Sequence, residues 1–485
     1  MAFHPELADG LIQSTFGRTK FAGKNGMDIL TLFFTVLPFV VAFLVAFLLC
    51  TLAVLFINSA PIAMGTMTVI FLIETSLLAP FALNFGIWVY LPDLLMALLL
   101  PAICFRLILL KKFDAIPRVW LGIGLLWMGL FAWGVIKYGT IAGVDFRSFF
   151  YIWLGAAYLA TFDYDEAFAR SLTKLFIVIG VGVCIVACYR WVAGAVDYEF
   201  YRELQKLDTT DVAFHRVVAA GPTFILACSL LVLVQKALNE RFSPIVWFLA
   251  LMFGITVVAM QHRSVWAALF AGLVALVLAV RQMRAGAESK VFAMVFAGIV
   301  LVTIIVVSGR FQGVVDSVEQ QAVRAVSTTG GTFVGRVVDW QVLLKNWAGS
   351  ISPTTYLIGK PFGSSFERDA SGPGNIKINY APHNFYVQLL YRGGLVGLIA
   401  FLWVYVQATR ALWSRLKRKQ DVISPVLFAM MVAQLVYFIP YGIEYSQMLL
   451  IGLLLGVINS ERNRPKAPES NFSRSSPIKR LGLGA

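Results

Sequence analysis

Long apolar runs dominate the chain and are separated by short polar connections. Because about 20 apolar residues in a helix span the hydrocarbon core of a bilayer, each run predicts a membrane-spanning helix. Thirteen such runs can be read, over residues 29–57, 62–83, 87–110, 119–136, 149–162, 175–195, 219–238, 245–260, 264–280, 291–309, 385–407, 424–440 and 446–459. The pattern therefore predicts an all-α, polytopic transmembrane helix bundle.

The basic residues between these runs predict which side of the membrane each connection faces, because Lys and Arg accumulate in cytoplasmic connections. With single crossings, the basic connections share one side, and they contain Lys111, Lys112, Arg118, Arg170, Lys174, Arg241, Arg281, Arg284, Lys290 and the cluster Arg410–Lys419. The basic N-terminal segment belongs there too, although thirteen crossings would place it outside. We therefore expect an even number of spans, 12 or 14, with the miscount near 29–57 or 62–83.

The same register places four connections outside, namely 137–148, 196–218, 261–263 and 310–384. Connections as long as the last are usually functional or disordered. From Arg336 onward its apolar residues recur at helical spacing, which predicts an amphipathic helix lying on the membrane or on the bundle. These residues are Val337, Trp340, Leu343, Leu344 and Trp347. A stretch rich in Gly and Pro then leads to His383 and the next apolar run.

Composition supports a membrane protein and excludes soluble classes. Hydrophobic residues make up 59% of the chain, charged residues 14%, and the mean hydropathy is +0.78, whereas soluble domains carry about 25% charged residues. The net charge of +14 fits the sidedness of the connections and gives no reason to expect nucleic acid. The five cysteines lie inside apolar runs, so neither a disulfide framework nor a metal site is expected.

These patterns divide the chain into five predicted parts. They are a cytoplasmic N-terminal tail (1–28), a transmembrane bundle (29–309), a large outer loop with its amphipathic helix (310–384), C-terminal transmembrane helices (385–460) and a cytoplasmic disordered tail (461–485).

The ionisable residues predicted at the outer side are mostly cationic. They include Arg147, Arg216, Arg263, Arg336 and His383. Arginines around an outer cavity suit a phosphate or diphosphate, because guanidinium groups stay charged and bind in a bidentate manner. The alternative for each arginine is that it anchors a helix end at the interface. A neutral His383 could take a proton from a sugar hydroxyl, although a lone histidine is more often a plain interface residue.

The segment Asp163-Tyr164-Asp165 has the Asp-x-Asp form that binds metal-nucleotide complexes in soluble glycosyltransferases. Here it lies in a predicted cytoplasmic connection without an α/β nucleotide domain. We therefore interpret it as solvated charge. The pattern Gly393-x-x-x-Gly397 in the return helix predicts close helix packing rather than chemistry.

Several of these segments together resemble the O-antigen ligase and polysaccharide polymerase superfamily. The resemblance is carried by Gln261-His262-Arg263-Ser264, Gly335-Arg336, Tyr356-Leu357-Ile358-Gly359, Pro382-His383-Asn384-Phe385-Tyr386, the stretch Leu389–Gly397 and an Arg-Gly element with Arg216 and Gly221. It is strongest over residues 210–410. Residues 1–110 resemble the family only as hydrophobic segments.

The resemblance implies a bundle related to C-type glycosyltransferases in a bacterial inner membrane, with its large loop and active site at the periplasmic face. It implies that Arg216 and Arg263 hold a donor diphosphate, that His383 is the base or orients the acceptor, and that Arg336 supports the loop or the phosphate. Arg147 is a further candidate for the diphosphate. His262 is not part of the family pattern, so its role stays open.

The preferred interpretation is a metal-independent glycosyltransferase that uses no cofactor and polymerises exopolysaccharide or O-antigen repeat units. Its expected partners are an undecaprenyl-diphosphate-linked glycan donor, a saccharide acceptor, membrane lipids and polysaccharide assembly proteins. One alternative is an O-antigen ligase, which joins the glycan to lipid A-core. Another is a lipid-linked glycan flippase, although such transporters commonly show inverted repeats that this chain lacks. A non-catalytic assembly partner is the third.

Overall fold

The computed structural model describes residues 51–77, 81–84, 88–193, 217–239, 243–283, 332–349, 352–369, 377–378, 381–418 and 423–464, and six positions between 37 and 50. The chain divides into two compact units, Met1–Leu52 and Ala53–Ala485. In the first unit the described positions are helical. The predicted N-terminal tail, the predicted span 291–309, residues 310–331 of the predicted loop and the C-terminal tail from 465 lie outside the described residues.

The second unit is built from α-helices. In chain order they are α1 (Ala60–Ser76), α2 (Leu91–Ile108), α3 (Arg118–Tyr138), α4 (Ile141–Ala160), α5 (Glu166–Val192), α6 (Ala220–Asn239), α7 (Pro244–Ala259), α8 (Arg263–Met283), α9 (Thr332–Ala348), α10 (Pro353–Ile358), α11 (Phe385–Arg418), α12 (Ser424–Tyr437) and α13 (Met448–Arg462). Short 3₁₀ turns cover Lys112–Ala115 and Tyr445–Gln447.

Two small antiparallel hairpins accompany the helices. Strand β1 (Ala82–Asn84) pairs with β2 (Trp88–Tyr90) directly before α2. Strand β3 (Arg368–Asp369) pairs with β4 (Lys377–Ile378) in the segment before α11.

Six of the described helices are long and apolar enough to cross a membrane, namely α2, α3, α5, α6, α8 and α11. The shorter apolar helices are α1, α7 and α12. In α6, 83% of the most apolar 18-residue window is buried, against 33–50% in the other five. Helix α6 is therefore the most enclosed of the six, and α3 and α5 expose large apolar side chains such as Ile136 and Val192. The expected total of 12 or 14 spans stays a prediction.

Two connections are shorter than the apolar runs predicted. Only Gly139 and Thr140 separate α3 from α4, because Gly139 adopts a φ of +65° that ends α3 at once. The predicted outer connection 137–148 is therefore mostly helix. The predicted connection 163–174 is likewise reduced, because Asp165 accepts the Phe168 N–H at 2.7 Å and caps α5. Charged residues in the first two turns of both helices, such as Asp145 in α4 and Arg170 in α5, interrupt the apolar runs and so hid these boundaries.

The predicted amphipathic helix is present as α9 and begins at Thr332, four residues before Arg336. Its Trp340 and Leu343 are buried in a cluster with Phe366, Val387 and Tyr391. Val337, Leu344 and Trp347 pack against that cluster. The apolar face of α9 therefore lies on α11 and on its own loop, which decides between the two positions left open by the sequence.

The segment Gly359–Phe366 is inserted between helices rather than lying over them. Phe362 is fully buried, its ring centroid lies 5.0 Å from that of Phe146, and its N–H donates to the Leu130 carbonyl at 3.4 Å. The Lys360 N–H donates to the Tyr391 carbonyl at 2.6 Å. Part of the predicted large loop is thus a packing element among α3, α4 and α11.

Arg392 holds the inserted segment in place. Its Nη2 lies 2.6 Å from the Asp145 carboxylate, and Nη1 donates to the Pro361 carbonyl at 2.9 Å. The same carboxylate accepts the Gly363 N–H at 2.9 Å. Helix α11 bends two residues later at Gly394, whose φ of +59° and close approach to Leu357 require a residue without a Cβ.

Candidate active site

The connection between α7 and α8 is only Met260–His262, as short as its sequence predicted. Gln261 adopts a φ of +54°, which makes the tight turn. His262 is 6% exposed, with Nε2 at 2.8 Å from the Val218 carbonyl and Nδ1 at 3.4 Å from the Tyr441 hydroxyl. Because a carbonyl can only accept a hydrogen bond, Nε2 carries a proton and donates a hydrogen bond to the Val218 carbonyl. In the neutral ring Nδ1 is then an acceptor, and it accepts a hydrogen bond from the Tyr441 hydroxyl. Arg263 follows as the first residue of α8 and is partly buried.

The loop between α12 and α13, residues 438–447, is the centre of this arrangement and is termed the hub loop. Arg336 on α9 donates from Nη1 to the Pro440 carbonyl at 3.0 Å. Its guanidinium carbon lies 5.6 Å from the centre of the Tyr441 ring. Tyr441 also stacks on Tyr437, with ring centroids 4.8 Å apart. Arg336 and His262 therefore contact the same tyrosine.

The His383 segment is fixed to the hub loop by its neighbours. The Phe385 N–H is shared between the Phe438 and Tyr441 carbonyls, each at 3.0 Å. Asn384 caps α11, since its Oδ1 accepts the Val387 N–H at 3.0 Å. On the other side, Gln388 donates to the Pro382 carbonyl at 2.6 Å. His383 itself is exposed. Its position is fixed by the hydrogen bonds of the residues on either side of it.

Glu444 of the hub loop is a site residue that the sequence analysis did not single out. Tyr437 donates its hydroxyl to Oε1 of Glu444 at 3.2 Å. A Cβ built on Gly221 would overlap the Glu444 carboxylate. The carboxylate thus lies against the start of α6, where the positive end of the helix dipole favours it. The sequence did offer a signal for Glu444, because it is an acidic residue in a short connection between two apolar runs.

Tyr445 extends the same network toward α1. It hydrogen-bonds the Glu74 carboxylate, and its ring meets Phe71 edge-on with centroids 6.5 Å apart. Burial, together with the charges of Glu74 and Glu444, raises the pKa of Tyr445 well above its ordinary value. The hydroxyl therefore stays neutral at physiological pH and donates to the carboxylate.

Arg147 is engaged elsewhere in the described structure. Its Nε lies 3.2 Å from the Asp93 carboxylate at the start of α2, and Nη2 donates to the Trp88 carbonyl at 2.8 Å. Tyr151 donates to the same carboxylate. To bind a diphosphate, Arg147 would have to contact it while also paired with the Asp93 carboxylate.

Arg216 lies outside the described residues. The two residues after it are held by hydrogen bonds. The Val217 carbonyl accepts a hydrogen bond from Arg190, and the Val218 carbonyl accepts one from His262. Of the five predicted site residues, the structure brings Arg263, Arg336 and His383 to elements that meet at the hub loop.

Each residue of Asp163-Tyr164-Asp165 has a structural role. Asp163 pairs with Lys112 at 3.2 Å, Tyr164 donates to the Gly452 carbonyl at 3.1 Å, and Asp165 caps α5. Within the described residues, no group of three or more His, Cys, Asp or Glu side chains is placed to hold a metal ion.

A family model described as O-antigen ligase matches residues 247–402. No curated protein matches the chain. The matched stretch contains Arg263, Arg336 and His383, whereas the hub loop lies beyond it. This match, with six described helices able to cross a membrane, supports a multi-pass membrane enzyme of the ligase or polymerase kind. Residues 247–402 therefore match the O-antigen ligase family, which confirms the resemblance to the O-antigen ligase and polysaccharide polymerase superfamily over this part of the chain.

Proposed function

We propose that this protein is a glycosyltransferase of polysaccharide assembly in a bacterial inner membrane. It transfers a glycan from an undecaprenyl-diphosphate carrier to a sugar hydroxyl at the periplasmic face. The preferred reaction is polymerisation of exopolysaccharide or O-antigen repeat units. Polysaccharide assembly proteins are proposed partners in the cell.

One observation carries this proposal: the three predicted site elements converge on the hub loop. His262 and Arg336 both contact Tyr441, and the Phe385 N–H bonds the carbonyl of the same residue. These elements are the turn between α7 and α8, helix α9 and the start of α11, which are far apart in sequence. A fold that gathers an arginine-bearing turn, a second arginine and a histidine segment in this way suits a diphosphate donor.

In the proposed reaction an acceptor hydroxyl oxygen attacks the anomeric carbon of the donor. The bond from that carbon to the diphosphate oxygen breaks, and the diphosphate leaves with the electron pair. His383 accepts the hydroxyl proton, while Arg263 and the other proposed arginines, Arg216, Arg336 and Arg147, stabilise the negative charge of the leaving group. A single displacement of this kind inverts the anomeric centre.

The geometry supports different tasks for the residues around the hub loop. Arg336 is already bonded to the Pro440 carbonyl and lies over Tyr441, which supports a role in holding the loop. His262 joins the α7–α8 turn to the start of α6 and to Tyr441, so we assign it a positioning role beside Arg263. Glu444 and Gly221 fix the other end of the loop.

The description of the matched family as O-antigen ligase favours a second candidate, in which lipid A-core is the acceptor. Both reactions need the same donor site. In cells that lack lipid A-core, loss of long polymer on deletion of this protein would support polymerisation. Long polymer that stays on the carrier after the same deletion would support ligation.

The experiment that tests the proposal is complementation of a deletion strain with the wild type, His383→Ala or Arg263→Ala. Carrier-linked repeat units and long polymer are measured, with the membrane level of each protein. We expect both variants to insert normally, to lose long polymer and to accumulate carrier-linked units on the periplasmic side. Arg281→Ala, at the other end of α8, is the matched control for Arg263→Ala and retains polymer.

Two outcomes would contradict the proposal. Accumulation of carrier-linked units on the cytoplasmic side would identify a flippase. Normal polymer in both variants would show that the proposed residues do not form the active site.

A further inference from the structure

A large cavity lies at the opposite end of the bundle from the hub loop. It is half open, has a volume of about 810 Å³, and is lined by the start of α5, the ends of α6, α11 and α13, and the start of α12. Ligand sites in proteins commonly have volumes of about 300–1,000 Å³. At about 30 Å³ per water molecule, the space far exceeds what a single inorganic anion needs.

Cations from four different helix ends line this cavity. They are Arg170 and Lys174 on α5, Lys236 on α6, Arg415 on α11 and Arg464 beyond α13. Three carboxylates also line it, Asp165, Glu166 and Glu461, so cations outnumber carboxylates.

The carboxylates are already committed to protein groups. Glu461 is shared by two arginines: its Oε2 lies 3.5 Å from Arg415 Nε, and its Oε1 bonds Arg418. Asp165 caps α5, and Glu166 pairs with Arg170 at 3.4 Å in an exposed contact, which is a weak one. The cavity therefore presents a surplus of positive charge to any ligand that enters it.

Apolar side chains share the wall with these cations. Val232, Ile423 and Val426 line the cavity as well. A wall of cations and aliphatic side chains matches an amphiphile with an anionic head rather than a free ion. Basic pockets between helices on the cytoplasmic side of membrane proteins bind phospholipid head groups by this combination.

We propose that this cavity binds the phosphate head group of an anionic phospholipid, with Arg170, Lys174, Lys236 and Arg464 contacting the phosphate. Arg415, which is 9% exposed and donates to Ser460 at 2.8 Å, forms the floor of the cavity. This assignment is independent of the proposed reaction, because no residue of the hub loop takes part.

The test is lipid binding to the purified full-length chain, measured by native mass spectrometry in detergent with phosphatidylglycerol or phosphatidylcholine. We expect the wild type to bind phosphatidylglycerol more tightly, and the double variant Arg170→Gln with Lys174→Gln to lose about tenfold in affinity. Both residues are exposed, so the variant should fold. The single variant Arg464→Gln should show a smaller loss in the same direction.

The matched control is Lys111→Gln with Lys417→Gln, which removes two exposed cations at the same end but outside the cavity. It should bind as the wild type does. Equal binding by the cavity variants and the control would overturn the site. Inorganic phosphate that displaces phosphatidylglycerol at equal concentration would overturn the assignment to a lipid and leave a free-anion site.

Discussion

At the residue scale, the hub loop explains why position 221 is a glycine. The sequence indicated Gly221 only through a family element, whereas the structure shows the Glu444 carboxylate occupying the space of its missing Cβ. Two residues more than 200 positions apart thus depend on each other. Such a pair cannot be predicted from hydropathy, because it needs the α12–α13 loop to be placed against α6.

Gly221→Ala should lower the thermal unfolding midpoint of the detergent-solubilised protein. The added methyl group overlaps a carboxylate, and such overpacking costs about 1–3 kcal/mol. The control is Gly129→Ala on α3, where no atom lies within 4 Å of a built Cβ. In a Glu444→Ala background, Gly221→Ala should cost much less. An equal loss in both backgrounds would show that Glu444 is not what the methyl group meets.

Tyr441→Phe should lower the rate of glycan transfer while leaving the thermal unfolding midpoint close to that of the wild type. The change removes the hydroxyl at 3.4 Å from His262 but keeps the ring that Arg336 contacts. Initial rates of glycan transfer are compared with thermal midpoints for Tyr441→Phe and for Tyr386→Phe, whose hydroxyl donates to the Leu435 carbonyl at 2.8 Å within the helices. Unchanged turnover in Tyr441→Phe would show that the contact between Tyr441 and His262 does not position the active site.

At the element scale, the sequence located the apolar helices well because a long apolar run reports a helix buried in lipid or protein. The helical spacing of apolar residues predicted α9, and the short gap between two apolar runs predicted the turn before Arg263. The sequence failed at the boundaries of α4 and α5, where Gly139 and the Asp165 cap set the helix ends. It also could not show that Gly359–Phe366 enters the bundle, because Arg392 and Asp145 meet only in the folded chain.

Arg392→Met should release the Gly359–Phe366 segment from the bundle. The change leaves the Asp145 carboxylate without its arginine, and breaking a buried pair in this way costs about 3–5 kcal/mol. Limited proteolysis should then cut the chain between Ser352 and Asp369 faster than in the wild type. Arg410→Met on the same helix is the control, because Arg410 is exposed and stacks on Trp403. Equal cleavage in both variants would show that Arg392 does not hold the segment.

At the scale of the whole molecule, the two ends of the helix bundle in the second unit carry different chemical groups. The hub loop gathers histidine, arginine and carboxylate groups, whereas the other end gathers the cations that line the large cavity. The distribution of Lys and Arg predicts that the second end is cytoplasmic. The expected even number of spans depends on residues 29–83, whereas the sidedness depends on the basic connections that follow residue 87.

Thiol labelling in intact cells should show this sidedness. In a background with the five cysteines replaced, Ser352→Cys should react with a membrane-impermeant reagent, since Ser352 is exposed in the predicted periplasmic loop. Lys417→Cys, exposed at the other end, should react only after the membrane is opened. Labelling of position 417 alone in intact cells would reverse the orientation and place the hub loop in the cytoplasm.

The most direct test of the central claim is turnover by the purified chain in detergent, where no transport across a membrane can occur. An undecaprenyl-diphosphate-linked repeat unit serves as donor and acceptor, and release of undecaprenyl diphosphate is followed together with glycan length. The wild type and Arg281→Ala should lengthen the glycan, and Arg263→Ala and His383→Ala should lose most of that activity while remaining folded. Equal turnover by Arg263→Ala and Arg281→Ala, or none by the folded wild type with either a repeat unit or lipid A-core as acceptor, would contradict a glycosyltransferase site at the hub loop.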